Sequence, residues 1–521
     1  MMEKYVNLIL PEKPAKCIEK GKTTLSEISD EAQITFHYEN CGKKGEIIED
    51  IKKKRRTYGE HLTSINIFKE FILSGIKESI YQYRWVDLFC GEGNLILPIL
   101  ELIPEEKRVD FFKKHIFLFD IQKELIKKAI CNAIKYGIPE EIAQQNIVQQ
   151  DTIKNYPSIV LSNDLPLFHI TNPPYLYVGY IAKHRETYKY LDYFQGINKG
   201  YQDLYQLALI NDLQNEVKKM IYIIPSNFLF GFSSSNKIRD DFLSHYTIGK
   251  AFIFEKKIFE FTGVNVAICF FERKSSPERK KITFEGTKIN KEAQKKVYTL
   301  EPYNHYRAGN EFEDFVKQRK ALNPIKATYY LTMEEVEKNK GNKEILIIDA
   351  NAFNGKEYEK KIIHTNNELY NKINKNILFI RTVDTGSFNG RAGLYLINKT
   401  FNANGILVSK STYRTHPIQI FLEPVLSKND QLLLKDYFNT VLQYFRKTTD
   451  SEFMTTYKYS NSEYTRKYLG LTQAKDLIET FPILQLSKKE KNDLKKLIEA
   501  QDIHSIISFL KSFNKFKELS L

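Results

Sequence analysis

The tetrapeptide Asn172-Pro173-Pro174-Tyr175 constrains this chain more than any other feature. It follows an apolar run, Leu167-Phe168-His169-Ile170-Thr171, that reads as a buried strand. Consecutive prolines fix φ and remove backbone donors, so the turn is stiff and presents carbonyls. The Asn172 amide oxygen and a neighbouring carbonyl can accept both hydrogens of a flat amino group. A tyrosine ring can stack on the heterocycle that carries it. The plain alternative is a rigid turn with a packed tyrosine, and the rest of the chain weighs against it.

From Tyr83 to about Arg273, apolar runs alternate with helical patterns. Segments 85–89, 116–119, 147–148, 167–170, 220–224, 251–254 and 264–271 read as strands. Segments near 94–103, 122–136, 202–217 and 234–245 read as helices. Such alternation predicts a parallel sheet covered on both faces. No helical pattern separates the last two runs, which predicts an antiparallel pair at the sheet's end. Residues 1–50 form an N-terminal extension, followed by the basic run Lys52 to Arg56. Residues 274–298 are charged and read as a linker. Residues 299–521 form a second region, aromatic and basic, with Gly386, Gly390 and Gly393 in a tight loop and two Lys-rich amphipathic helices from Ser487 onward.

The first strand runs into Asp87-Leu88-Phe89-Cys90-Gly91-Glu92-Gly93, where the glycines permit a sharp turn and close approach to a ligand. In an open parallel sheet, ligands sit beyond the C-terminal strand ends. The third glycine of a dinucleotide fingerprint is absent, which disfavours a diphosphate cofactor. The second strand ends in Asp120, with Ile121 beside it; a carboxylate there can accept two ribose hydroxyls. The third ends in Asp151, placed to accept from an adenine amino group. Each aspartate alone could be a helix N-cap. Three in successive strand-end positions, with a glycine loop before them and the amide turn on the fourth strand, point to a nucleoside site.

This ordered set resembles class I S-adenosylmethionine-dependent methyltransferases, and more closely the γ-group of N6-adenine DNA methyltransferases. In that group a G-x-x-x-T-P element precedes the glycine loop. Gly59 to Thr63 fits it, with Ser64 where proline is usual. Lys199-Gly200-Tyr201-Gln202-Asp203-Leu204-Tyr205, Pro225-Ser226-Asn227-Phe228 and Phe261-Thr262-Gly263-Val264 match later segments. The resemblance covers roughly residues 52–273. It implies a Rossmann-like α/β catalytic domain (51–273) with a seven-stranded mixed sheet, followed by a C-terminal α+β target recognition domain. It implies S-adenosylmethionine as cofactor, with Gly59, Thr63, Asp87, Phe89, Gly91, Gly93, Asp120, Ile121, Asp151 and Asn172 around it. It makes Asn172, Pro173, Pro174 and Tyr175 the catalytic turn. Tyr175, with Phe261 first and Phe259 second, would stack on a target adenine flipped out of duplex DNA.

Lys plus Arg exceed Asp plus Glu by 78 − 64 = 14, which suits a polyanionic partner. The resemblance implies double-stranded DNA as that partner, with Arg381, Arg391, Lys410 and Arg414 as candidate contacts to phosphate or guanine. The five cysteines form no disulfide framework and no metal spacing with histidine. No signal peptide and no run of ~18 apolar residues is read, so a cytoplasmic enzyme is expected. Any cognate restriction endonuclease is expected as a separate chain, and a monomer is the default. Methylation of cytosine N4, of RNA or of a protein amide remains an alternative, as does a non-catalytic DNA-binding subunit.

Overall fold

The computed structural model describes residues 57–59, 62–161, 165–256, 258–259, 264–385, 390–413, 415–458 and 465–513. The expectations for residues 1–50, the run 52–56, Phe261, Gly386 and Arg414 lie outside the described residues. The chain divides into two compact units. The first ends at Tyr306, and the second runs from Arg307 and also takes the short segment Leu229–Phe232.

The first unit is built on one sheet. Its strands are β1 Arg84–Asp87, β2 Ile116–Asp120, β3 Ile147–Gln149, β4 Leu167–Thr171, β5 Lys219–Pro225, β6 Tyr246–Phe254, β7 Val266–Arg273, β8 Ile282–Ile289 and β9 Ala293–Leu300. The spatial order is β3-β2-β1-β4-β5-β7-β6-β8-β9. The first five pair in parallel, and β7 is antiparallel to both β5 and β6. All seven expected strands are present. Each residue of β1, β2 and β4 is buried. A strand covered on both faces needs apolar side chains at every position, which is why these read as unbroken runs. The helix Leu204–Gln214, which connects β4 to β5, is likewise apolar nearly all round and almost wholly buried.

The linker expected at 274–298 is instead the hairpin β8–β9, which lengthens the sheet from seven strands to nine. β8 pairs in parallel with β6. Its inward residues Ile282, Phe284 and Gly286 alternate with exposed ones, a half-buried pattern that the surrounding lysines obscure. Gly286 lies under the Tyr298 ring, where a Cβ would come within 2.5 Å of it. Lys288, which reads as a solvated charge, is buried and pairs with Glu255 at 3.2 Å. The first unit accordingly runs past the expected boundary at 298.

The second unit is α+β, as expected. One sheet joins β10 (Lys326–Tyr329), β17 (Pro417–Glu423), β14 (Leu378–Arg381) and β15 (Gly393–Leu396). Another joins β11 (Leu331–Thr332), β16 (Gly405–Val408), β12 (Lys343–Phe353) and β13 (Tyr358–Thr365). Gly393, placed in a loop from sequence, begins β15. The helices Lys428–Thr448, Leu471–Glu479, Lys488–Glu499 and Ile503–Lys511 pack their apolar faces into a common core around Leu434, Phe438 and Leu477. Ser487 and Glu490 form a capping box at the start of the third. Arg446 of the long helix makes a buried bidentate pair with Asp384, at 3.0 and 2.6 Å. Asp384 also accepts from the Ala392 and Lys467 N–H groups, so one carboxylate ties β14, β15, this helix and a small two-stranded ribbon together. Among the described residues, no helix is long and apolar enough to cross a membrane.

Candidate active site

The C-terminal ends of β1 to β4 open onto a cleft in the first unit. Thr63, Asp87, Phe89, Gly91, Asp120, Ile121, Asp151, Asn172 and Pro174 line it. Most of the sequence-derived cofactor residues therefore share one cavity.

After β1 the chain turns along β2, with the Cys90 N–H donating to the Phe119 carbonyl at 2.8 Å. Gly91 adopts φ +54, and its N–H donates to Asp120 Oδ2 at 3.0 Å. The Gln122 N–H donates to Asp120 Oδ1 at 2.8 Å. Backbone donors thus orient both carboxylate oxygens. Gly93 packs under the loop against Leu97 and does not line the cleft.

Asp87 is buried, and its Oδ1 accepts from the Phe89 N–H at 3.0 Å and the Thr171 hydroxyl at 2.6 Å. Thr171 is the residue before Asn172, so this bond fixes the end of β4 to the end of β1. Burial pushes the Asp87 carboxyl up to about 6; the Thr171 hydroxyl, His169 and the Phe89 N–H pull it down, and Asp120 raises it further. A carboxyl raised on folding binds more protons in the native state, so its contribution is fully present below the unfolded value and is lost as pH rises through about 6. Asp87→Asn keeps both accepted bonds. Between about pH 4 and pH 6 the wild type should lose roughly 2–3 kcal/mol relative to this variant, measured by urea unfolding across that window. Parallel curves would contradict the assignment.

Below the loop, His169 Nε2 accepts from the Leu88 N–H at 3.2 Å, and Nδ1 meets Asp212 Oδ2 at 2.5 Å. Tyr222 and Tyr156 hydroxyls donate to the same carboxylate at 2.6 and 3.0 Å. This fully buried network holds the glycine loop's base against β4. It explains a histidine inside a strand that otherwise reads as purely apolar.

At the turn Asn172-Pro173-Pro174-Tyr175, Asn172 Nδ2 donates to Thr63 Oγ1 at 3.0 Å, which orients the amide. Thr63 is anchored in turn by Asn94, whose amide donates to the Thr63 carbonyl at 2.9 Å. Asn172 Oδ1 accepts from the Tyr175 hydroxyl. That hydroxyl also lies 2.6 Å from the Ile223 carbonyl. Burial holds the Tyr175 phenol well above its usual range, so it acts as a proton donor. The ring is 9% exposed, packs edge-on to Tyr205 and lies outside the cleft lining. The exposed stacking surface expected of Tyr175 is not presented: the two hydroxyl bonds and the contact with Tyr205 turn the ring inward. Phe259 is buried too, at 4% exposure, and does not line the cleft.

Gly59 has a different place from the one expected. It does not line the cleft but lies against the Asn172–Tyr175 turn, its carbonyl accepting from the Tyr175 N–H at 3.0 Å. The segment Gly200 to Tyr205 closes the turn from the other side. Asp203 Oδ1 accepts from the Leu176 N–H at 2.9 Å and caps the helix Leu204–Gln214. Sequence reasoning missed the cleft residues Tyr58, Tyr190 and Tyr193. The available signal was the cluster Tyr188, Tyr190, Tyr193 and Phe194 shortly after the Asn172–Tyr175 turn.

In the second unit, Arg381 and Arg391 converge on Tyr395. Arg381 lies over its ring at 5.7 Å, and the Arg391 carbonyl accepts from its hydroxyl at 2.5 Å. Lys410 is exposed beyond β16, its N–H bonded to Asn351 Oδ1 at 3.1 Å.

No curated protein matches the chain. Solved structures similar to it include the type IIL restriction-modification enzyme MmeI in complex with DNA, at 12% identity and TM-score 0.48, covering 90% of this chain and 78% of that one. A nuclease-deletion mutant of the type ISP enzyme LlaGI with a DNA substrate mimic gives 12% identity and TM-score 0.46, covering 84% of this chain and 47% of that one. The type I methyltransferase subunit from Streptococcus thermophilus gives 16% identity and TM-score 0.31, covering 45% of this chain and 50% of that one. The chain thus spans about half the length of the last two. The description N-6 DNA methylase matches residues 47–351, more than half of the sequence. The chain belongs to the N-6 DNA methylase family.

Proposed function

We propose that this protein transfers a methyl group from S-adenosylmethionine to N6 of an adenine in double-stranded DNA, as the modification enzyme of a restriction-modification system. The observation that carries the reading is the shared cleft: Asp120, Asp151 and Asn172 come from three different strand ends and meet around one cavity.

The donor set fits a nucleoside. Asp120 offers a carboxylate oriented by two backbone donors for ribose hydroxyls, Asp151 offers one for a base amino group, and Gly91 lets the backbone approach a ligand closely. When bound, the donor supplies an electrophilic methyl on a sulfonium. The protein's share is to prepare the nucleophile. An exocyclic adenine nitrogen is a poor nucleophile because its lone pair is delocalised into the ring. Accepting its hydrogens at Asn172 Oδ1 and at a carbonyl of the turn draws it toward tetrahedral geometry. The same acceptors stabilise the positive charge that develops during attack. Tyr175 must then release Asn172 Oδ1. The Ile223 carbonyl at 2.6 Å gives its hydroxyl another acceptor, so release strands no buried donor.

Asp120→Ala should weaken binding of S-adenosylhomocysteine by about 10- to 100-fold, read by calorimetry, while DNA affinity stays within a few-fold. Unchanged affinity for that nucleoside would remove Asp120 from the ribose site. The reading as a whole is tested by incubating the protein with labelled S-adenosylmethionine and unmethylated genomic DNA, then mapping modified bases. N6-methyladenine in one short motif supports it. N4-methylcytosine would keep the amino-group chemistry and replace the target. Donor binding without any DNA label would move the substrate to RNA or protein.

A further inference from the structure

The segment between the catalytic turn and the helix Leu204–Gln214 forms a one-sided wall of the cleft. Its main element is the 3-10 helix Arg185–Phe194. Thr187, Tyr190 and Phe194 anchor it in the protein interior. Tyr193 is only half-buried, and its hydroxyl donates to Asp151 Oδ2. The Tyr193 carbonyl is held by the Asn198 amide at 2.9 Å, and its ring meets the Tyr190 ring edge-on at 5.6 Å. Tyr190, Tyr193 and Asp151 all line the cleft.

Asp151 Oδ1 also accepts from the Lys154 N–H, at 3.2 Å. Two donors from different segments therefore fix the plane of this carboxylate. A carboxylate has about four lone-pair sites, so the remaining ones are left to accept from a ligand in the cleft. Without the Tyr193 hydroxyl, rotation about the side chain would be restrained from one side only.

We propose that Tyr193 is a specificity-determining positioning residue: it holds the Asp151 carboxylate so that it accepts from the exocyclic amino group of the methyl donor's adenine, while Tyr190 supplies the aromatic wall beside that base. This rests on the donor reading of the cleft given above. A base with a carbonyl in place of the amino group would set two acceptors against each other. The fixed carboxylate cannot turn away to relieve that opposition, whereas a loosely held one can.

The test is calorimetry on the full chain with two probes, S-adenosylhomocysteine and its inosyl analogue, which carries oxygen in place of the amino group. The wild type should prefer the adenosyl probe by about 10- to 100-fold. Tyr193→Phe keeps the ring and removes only the hydroxyl; it should shrink that ratio about tenfold while the melting temperature stays near that of the wild type. Asp151→Asn, whose amide can donate to the carbonyl, should abolish or invert the preference. A wild-type ratio in Tyr193→Phe overturns the inference and leaves the donor reading standing. Failure of the wild type to bind S-adenosylhomocysteine at all overturns the donor reading, and the inference with it.

Discussion

Asn172→Ala should lower methyl transfer by about 10²- to 10³-fold and leave binding of S-adenosylhomocysteine within a few-fold of wild type. The two effects separate because the residues responsible sit on different strands. Asp120 and Asp151, proposed for the ribose and the base, lie at the ends of β2 and β3, whereas Asn172 follows β4. The amide is already oriented: Thr63 Oγ1 takes an Nδ2 hydrogen at 3.0 Å, which leaves Oδ1 as the acceptor. Alanine removes that acceptor at the point where positive charge develops on the attacking nitrogen. It does not alter the loop that carries Gly91, nor the bonds that orient Asp120. Asn172→Asp keeps an acceptor oxygen but gives up donation to Thr63, so it should lose less activity than the alanine variant. Single-turnover methylation with saturating donor isolates the chemical step from binding. An alanine variant with more than about a tenth of wild-type single-turnover rate would remove Asn172 from the chemistry, because a preorganised dipole contributes more than that.

What could be read from the sequence follows burial. Strands covered on both faces, such as Ile116–Asp120 and Leu167–Thr171, leave no room for polar alternation and stand out as apolar runs. The hairpin β8–β9 has one well-packed face at most, and charged residues are interleaved with its apolar anchors, so it passes for a charged linker. The carboxylates at successive strand ends are legible because parallel topology places them on one edge whatever the details of the loops. Side-chain direction is not legible in the same way. Tyr175 has the ring expected beside a target base, yet its hydroxyl finds the Ile223 carbonyl beneath it and the ring turns inward. Tyr190 and Tyr193 stand three residues apart on a 3-10 helix and so share a face, but that spacing does not reveal that the face borders the cleft. In the second unit, Arg381 ends a strand and Arg391 lies in a loop, and the two meet at Tyr395 only through tertiary packing.

Gly59 is the residue whose role changes most between motif and structure, and Gly59→Ala should expose the difference. Among the family's features it reads as part of the cofactor site, which would make its loss a binding defect. In the structure its backbone has φ +67, a left-handed conformation that costs an alanine about 1–2 kcal/mol. A Cβ placed there would meet the Tyr175 carbonyl oxygen at 2.8 Å and its carbonyl carbon at 2.9 Å. Those are backbone atoms of the Asn172–Tyr175 turn and cannot rotate aside. Either Gly59 or the turn must shift, and the Tyr175 N–H bond to the Gly59 carbonyl couples the two. The turn carries Asn172, so a displacement of this kind misaligns the acceptor with the attacking nitrogen. A misplacement on the order of 1 Å at a reacting centre costs about 10²-fold in rate. Gly59→Ala should therefore lower the single-turnover rate by about 10²-fold while the affinity for S-adenosylhomocysteine changes only a few-fold. The opposite split, weak nucleoside binding with a normal rate at saturation, would return Gly59 to the cofactor site. A variant equal to wild type in both would mean that the turn tolerates the shift, and that the close approach of Gly59 to Tyr175 does not position the reacting amide.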